Sequence, residues 1–180
     1  MSITRFSLRF APTQVKAWAA RYQDSSAGAD NALVQSIVPR VRQRGYLTKS
    51  DLLKIGTWKS PRIRSRVNRN LNELVRGTTG VALSARTEEV RIGVLRALYG
   101  LDWAVASVIL HLMRRDRYPI LDFRALWSIG TEEPPTYTFR FWWAYTQYCG
   151  TLAKRAGVSM RTLDRALWQY SKENQPSTRR

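Results

Sequence analysis

The chain has 180 residues, with 30 Lys and Arg against 13 Asp and Glu, a formal charge of +17 and 44% apolar residues. Seven Trp, eight Tyr and five Phe exclude a disordered basic tail, because disorder needs low hydrophobicity as well as high charge. The length suits one compact domain or two small lobes with a proper core, and the cationic surplus answers to a polyanion, nucleic acid ahead of an anionic membrane surface.

One cysteine, Cys149, rules out an internal disulfide, a four-Cys zinc site and a four-Cys iron–sulfur cluster, so no metal and no cofactor is expected and the compartment reads as reducing. The longest charge-free apolar run, Trp103–Met113, is too short to span a bilayer and reads as a helix buried in protein. The N-terminal stretch carries Arg5, Arg9, Lys16 and Arg21 with no acid before Asp24. That composition overlaps with mitochondrial presequences but lacks a secretory apolar region, and the expectation is a cytoplasmic, nucleoid-associated monomer.

Helical periodicity dominates, and no period-two alternation competes with it, so the expected class is all-α. In chain order, Thr13–Gln23 reads as a first helix, Asp24–Asp30 as a loop, and Asn31–Arg44 as a second helix ended by Gly45. Thr48–Trp58 reads as a short helix capped by Thr48 or Ser50. Pro61 opens the next, with Ile63, Val67, Leu71 and Leu74 on its core face and Arg62, Arg66 and Arg69 on another. Gly77-Thr-Thr-Gly80 breaks the pattern. Thr87 with Glu88 and Glu89 then caps a helix whose Val90, Val94, Ala97 and Leu98 face inward, ending at Tyr99-Gly100. The apolar helix from Trp103 closes in the basic run Arg114–Arg117, and Pro119 and Asp122 start a helix through Ile129. After a loop at Gly130–Thr136, Tyr137, Phe141, Tyr145, Tyr148 and Leu152 form one helical stripe. Ser159 caps a last helix, with residues 1–173 as the folded part and 174–180 as a disordered basic tail.

Charge concentrates in one stretch, where Arg40, Arg42, Arg44, Lys49, Lys54, Lys59, Arg62, Arg64, Arg66, Arg69 and Arg76 face only Asp51 and Glu73. So many unneutralised cations repel one another without a partner, and Arg62, Arg66 and Arg69 are candidate phosphate contacts. A solvated basic surface is the competing reading.

The segment Leu98-Tyr-Gly-Leu-Asp-Trp-Ala-Val-Ala-Ser-Val-Ile-Leu110 is followed, eighteen residues after Ala104, by Asp122 in Tyr118-Pro-Ile-Leu-Asp-Phe-Arg-Ala-Leu126. This pair of motifs resembles the helix-hairpin-helix DNA glycosylase superfamily, the endonuclease III-like base-excision enzymes. Their hairpin reads Leu-Pro-Gly-Val-Gly-x-x-Thr-Ala, and a catalytic Asp opens the following helix. The resemblance is best over Glu88–Gly130, with weaker similarity in helix order along most of the chain. It implies a single catalytic domain of two helical lobes with double-stranded DNA bound across a cleft, the target nucleotide flipped out of the stack.

The chemistry asks for such residues. Backbone amides of a tight hairpin at Gly100, Asp102 and Ala104 grip a phosphate and set register without reading sequence. Cleaving an N-glycosidic bond develops positive charge on the sugar, so an ionised carboxylate at Asp122 stabilises the transition state and orients a water. Asp is also a common helix cap, and that is the plain alternative. Two departures from the family narrow the activity. The second hairpin glycine is Asp102 here, which turns outward, caps the helix at Trp103, or helps hold a cation. The lysine of bifunctional members is Ala104, so no amine nucleophile stands there. The implied enzyme is a monofunctional, cluster-free glycosylase leaving an abasic site, its target ranging over mismatched, alkylated, oxidised or hypermodified phage bases, in repair or in antiviral defence.

Base flipping needs a wedge and an aromatic pocket, for which Trp58, Lys59, Trp103, Trp142 and Trp143 are candidates, with core packing the competing reading for each Trp. Arg124 is placed to reach phosphate or to pair with Asp122. His111 and the tyrosine stripe read as structural. A second motif, Leu152–Leu167, looks like a helix-turn-helix with Gly157 at the turn and Arg161, Thr162 and Arg165 on a recognition helix, which points to a non-catalytic DNA-binding regulator.

Overall fold

The computed structural model describes residues 6–22, 27–114, 117–131 and 137–176, without the side chains of 27–31. Of the expected loop Asp24–Asp30 only 24–26 lie outside the described residues, and 27–30 are helical instead; the middle of the basic run at 115–116, residues 132–136 of the expected loop Gly130–Thr136 and the tail from 177 also lie outside the described residues. The helices are α1 (Val15–Ala20), α2 (Ala27–Ser36), α3 (Val38–Arg44), α4 (Lys49–Lys59), α5 (Arg64–Val67), α6 (Asn72–Ser84), α7 (Glu88–Leu95), α8 (Trp103–Met113), α9 (Phe123–Ser128), α10 (Phe139–Ala156) and α11 (Met160–Asn174), with 3-10 turns at Pro12–Gln14 and Pro61–Ile63. Among the described residues there is no strand, as an all-α class requires. The chain divides into two compact units, one built from both ends (Met1–Gln23 and Arg115–Arg180), the other from the middle (Asp24–Arg114).

The middle unit gathers α2 to α8. Its axis is α8, buried at every position except Ala104, so it has the all-round apolar character of a central helix rather than a one-sided stripe. Thr48 caps α4 through a reciprocal box with Asp51, and Gly45 ends α3 at φ 82°, both as the residue types dictate. The single helix expected over Asn31–Arg44 is two: Pro39 stands at the second position of α3 after a break at Ile37, because a proline ring cannot donate within a continuous helix.

Three expectations fail in the stretch that follows. No continuous helix runs from Pro61 to Arg76, since α5 stops at Val67 and α6 begins at Asn72. The break is made by the buried Asn70, whose Nδ2 donates to the carbonyls of Val67 and Tyr99 at 2.9 Å each. In consequence Leu71 and Leu74, expected in the core, are 70% and 47% exposed. Gly77 and Gly80 do not break the chain either. They lie inside α6, where Val75, Thr79 and Ala82 are buried and tertiary packing outweighs a glycine cost of about 1 kcal/mol each.

In α7 the buried face is Arg91, Ile92 and Leu95, continued by Leu98, while Val90 is exposed. The shift from Val90 to Arg91 is one residue, about 100° of helix rotation. Its cause is the guanidinium of Arg91, which donates to the carbonyls of Ala82 (3.0 Å), Leu83 (3.2 Å) and Ala85 and meets Glu88 at 3.4 Å. An arginine thus supplies the donors that the C-terminal carbonyls of α6 lack.

The unit built from the chain ends holds α1, α9, α10 and α11, with α11 packed against the other three. The expected stripe on α10 is core: Phe141, Tyr145 and Leu152 are buried together with Cys149, and Phe6 sets its ring 5.7 Å from Phe141 and 5.4 Å from Tyr148. The N-terminal segment closes the end of α9, because Ser7 and Arg9 donate their amides to Ile129 and Ser128 at 2.9 Å. Gly130, at φ 81°, makes room for it: a Cβ there would stand 3.1 Å from the Ser7 carbonyl oxygen. Asn174 closes α11, one residue beyond the expected end of the folded part.

Candidate functional site

Asp122 is the N-cap of α9, in extended backbone, and its Oδ1 accepts the amide of Arg124 at 2.9 Å. The approach to it is buried, with Tyr118, Ile120 and Leu121 all in the core. Both polar groups of the Ile120 peptide are taken by side chains: the Tyr145 hydroxyl donates to its carbonyl at 2.9 Å, and its amide donates to Asp164 Oδ1 at 3.2 Å. The segment leading into Asp122 is therefore clamped from α10 and α11 two residues before the carboxylate. Asp122 itself is half-buried, and the next residue, Phe123, is 62% exposed. A buried approach and an exposed aromatic set the carboxylate at the edge of the unit.

Burial pushes the Tyr145 hydroxyl well above its ordinary pKa, with the neighbouring Cys149, Asp164 and Asp122 adding to the same direction. Burial likewise raises the Cys149 thiol well above the usual value, with Asp164 adding to it. Both groups stay neutral at physiological pH, which suits a hydroxyl that donates to a carbonyl.

The hairpin belongs to the middle unit. Gly100 adopts φ 84°, and a Cβ there would meet Val67 Cγ2 at 2.9 Å and Arg66 Cβ at 3.1 Å, so only glycine fits the turn. Asn70 fixes the residue before it, accepting the Tyr99 amide at 2.9 Å as well as donating to the Tyr99 carbonyl. Of the three roles open to Asp102, the structure shows the cap: Oδ1 accepts the amide of Val105 at 2.9 Å. Ala104 sits half-buried in the first turn of α8, and Trp103 is nearly covered, with the Arg96 guanidinium 4.1 Å from its ring centre.

The other aromatic candidates separate. Trp142 is fully buried and stacks on Tyr118 at 5.8 Å; it has the core role and presents no face to a base. Trp143 is half-buried and stacks on Phe139 at 6.4 Å. Trp58 is half-buried in the wall of a cavity and Lys59 closes α4 beside it. His111 is buried in α8.

Arg62, Arg66 and Arg69 are all exposed, with Arg69 lying 4.6 Å over the Tyr99 ring. Arg124 stacks its guanidinium on Phe123 and Trp168 at 5.1 and 5.3 Å. Arg161 and Arg165 both lie over Tyr22, at 5.9 and 5.5 Å, and α10, Gly157 at φ 59° and α11 capped by Ser159 do form a helix, a turn and a helix. The apolar face of α11 is buried at Leu163, Ala166 and Leu167.

No protein-family model, curated protein or solved structure matches the chain.

Sequence reading missed Asn70, Arg91, Phe123 and the Tyr145–Asp164 clamp. An Asn within a basic helical pattern and an Arg within an apolar one are the signals that pointed to the first two. Phe123, at the first position of a helix whose cap is the candidate carboxylate, was visible as an aromatic with no place in the apolar stripe.

Proposed function

We propose that the protein is a monofunctional DNA glycosylase, which flips an altered base out of double-stranded DNA and hydrolyses its N-glycosidic bond to leave an abasic site. The carrying observation is the setting of Asp122. Its carboxylate accepts a helix amide and sits at the edge of its unit, behind a peptide clamped by Tyr145 and Asp164. A carboxylate that accepts a helix amide and is fixed by a rigid approach is suited to charge that develops on a sugar in the transition state. Water is the nucleophile, oriented by the same carboxylate.

Further support comes from the turn between α7 and α8, which is tight at Gly100 and held by Asn70, as a phosphate grip requires. The surplus of cations around α4 and α5 supplies non-specific affinity for the backbone. Exposed Phe123 is an aromatic next to the carboxylate, and such rings serve flipped nucleotides.

The direct test is incubation with a panel of duplexes, each holding one damaged or modified base, with mass spectrometry of what is released. The expected result is one free base from one class of duplex and an intact abasic strand; release from none overturns the proposal. The helix-turn-helix at α10–α11 favours a second reading, a non-catalytic regulator, which would instead select one DNA sequence through Arg161 and Arg165.

A further inference from the structure

Two adjoining depressions lie within the middle unit on either side of Arg64 and Leu53. One is a cavity of ≈ 610 Å³ whose walls include Leu33, Leu53, Thr57 and Trp58, with Lys54 and Arg64 on its lining. The other, of ≈ 460 Å³, is lined by Leu53, Pro61, Arg62, Arg64, Ser65 and Asn68. The first has the size of a small-molecule site, about 300–1,000 Å³, and the mixture such sites show: apolar and aromatic walls with a few polar groups. The second is a polar, cationic shelf.

The charges on this surface have no counterpart. Lys54, Arg62 and Arg64 are exposed, and among the described residues none of them is paired with a carboxylate; no acid lines either depression. Asp51, the acid nearest in sequence on α4, is buried and taken by Arg44 and, at 4.0 Å, by Arg40. The second observation is independent of charge. Trp58 is half-buried with its indole on the lining of the first cavity, which it shares with Lys54 and Arg64. An indole on the lining of an apolar cavity, adjoining unpaired guanidinium groups, matches a ligand with a flat heteroaromatic part and a phosphate.

We propose that the middle unit carries a nucleotide-binding site, with the base in the Trp58 cavity and its phosphate on the Arg62–Arg64–Asn68 shelf. The base stacks on or lies against the indole. Arg64, common to both depressions, bridges to the phosphate. The nucleotide is either free or one unit of an unpaired strand; the recognising chemistry is the same. The site lies wholly within Asp24–Arg114 and does not need Asp122.

The test uses the full chain labelled with ¹⁵N at its Trp side chains, whose seven indole signals include Trp58, assigned by Trp58→Phe. The probes are deoxythymidine monophosphate, a short oligothymidylate, ribose 5-phosphate and inorganic phosphate. The Trp58 signal is expected to move with the oligothymidylate, and also with the mononucleotide if free nucleotides are taken. Neither sugar phosphate nor inorganic phosphate should move it. Arg64→Ala should weaken the nucleotide effect about tenfold or more, while Asp122→Asn leaves it unchanged. No movement of the Trp58 signal with either nucleotide probe overturns the inference, as does equal movement with ribose 5-phosphate, or full affinity in Arg64→Ala. Because Arg64 is exposed, that variant remains informative if Trp58→Phe folds poorly. A shift at Trp58 in a protein that releases no base from any duplex would sink the glycosylase reading and leave this site standing.

Discussion

Asn70 holds the Tyr99 peptide from both sides, accepting its amide and donating to its carbonyl at 2.9 Å each. The two residues lie at opposite ends of the α6–α7 pair, and their bond sets where the turn at Gly100 stands against Val67 and Arg66. Removing the carboxamide strands two polar groups of the backbone, each worth about 1–3 kcal/mol when buried without a partner. Asn70→Ala is expected to lower stability by about 2 kcal/mol or more in urea unfolding and to weaken DNA binding through the displaced turn. Asn70→Asp, which keeps the acceptor and loses the donor, should fall between. A stability within error of wild type in Asn70→Ala would show that the turn is held by something else.

Under the proposed function the exposed arginines contribute to DNA affinity without regard to sequence. Replacing Arg62, Arg66 or Arg69 by Ala should weaken binding to every duplex alike and flatten the dependence of log affinity on log salt by about one unit each. Losses that differ between sequences would mean base readout; an unchanged slope would return these side chains to a solvated surface.

The buried thiol of Cys149 makes stability sensitive to alkaline pH. Its folded pKa is raised by burial, so between the ordinary thiol value and the raised one the unfolded chain has lost a proton that the native state retains. Stability is complete below the unfolded pKa and falls as pH rises through this window, by up to about 1.4 kcal/mol per pH unit for one group. Cys149→Ala should make the decline of thermal stability above about pH 8.5 shallower. Tyr145 contributes in the same direction from higher pH. A decline identical in Cys149→Ala and wild type would assign it to other groups.

The product should be an intact abasic strand. On the proposed glycosylase reading, the resemblance puts Ala104 at the position of the lysine of bifunctional enzymes, so no amine would stand there to form an imine with the sugar. Borohydride added during turnover is expected to trap no protein–DNA adduct, and strand cleavage should follow only added alkali or lyase. A strong adduct mapping to Lys54 or Lys59 would replace the hydrolytic step by an imine.

Much of the helical layout was legible because its signals are local. Thr48, Asp102, Asp122 and Ser159 each accept an amide within the next three residues, and Gly45 and Gly157 take the left-handed conformation at helix ends. The apolar run of α8 announces its own burial. What could not be read depends on partners distant in sequence. The interruption after Val67 is made with Tyr99, twenty-nine residues from Asn70, and the rotation of α7 is made by carbonyls of α6. In the same way Asp122 was legible as a cap, whereas its clamp was not, because Tyr145 and Asp164 reach Ile120 from helices much further along the chain.

In the proposed mechanism the Asp122 carboxylate acts on charge present chiefly in the transition state, and Asp122→Asn tests this while keeping shape and the capping acceptor. With the duplex from which wild type releases a base, single-turnover release in this variant should fall at least about a hundredfold, while affinity for the same duplex stays equal or rises. Release at the wild-type rate by a folded Asp122→Asn protein would contradict the account.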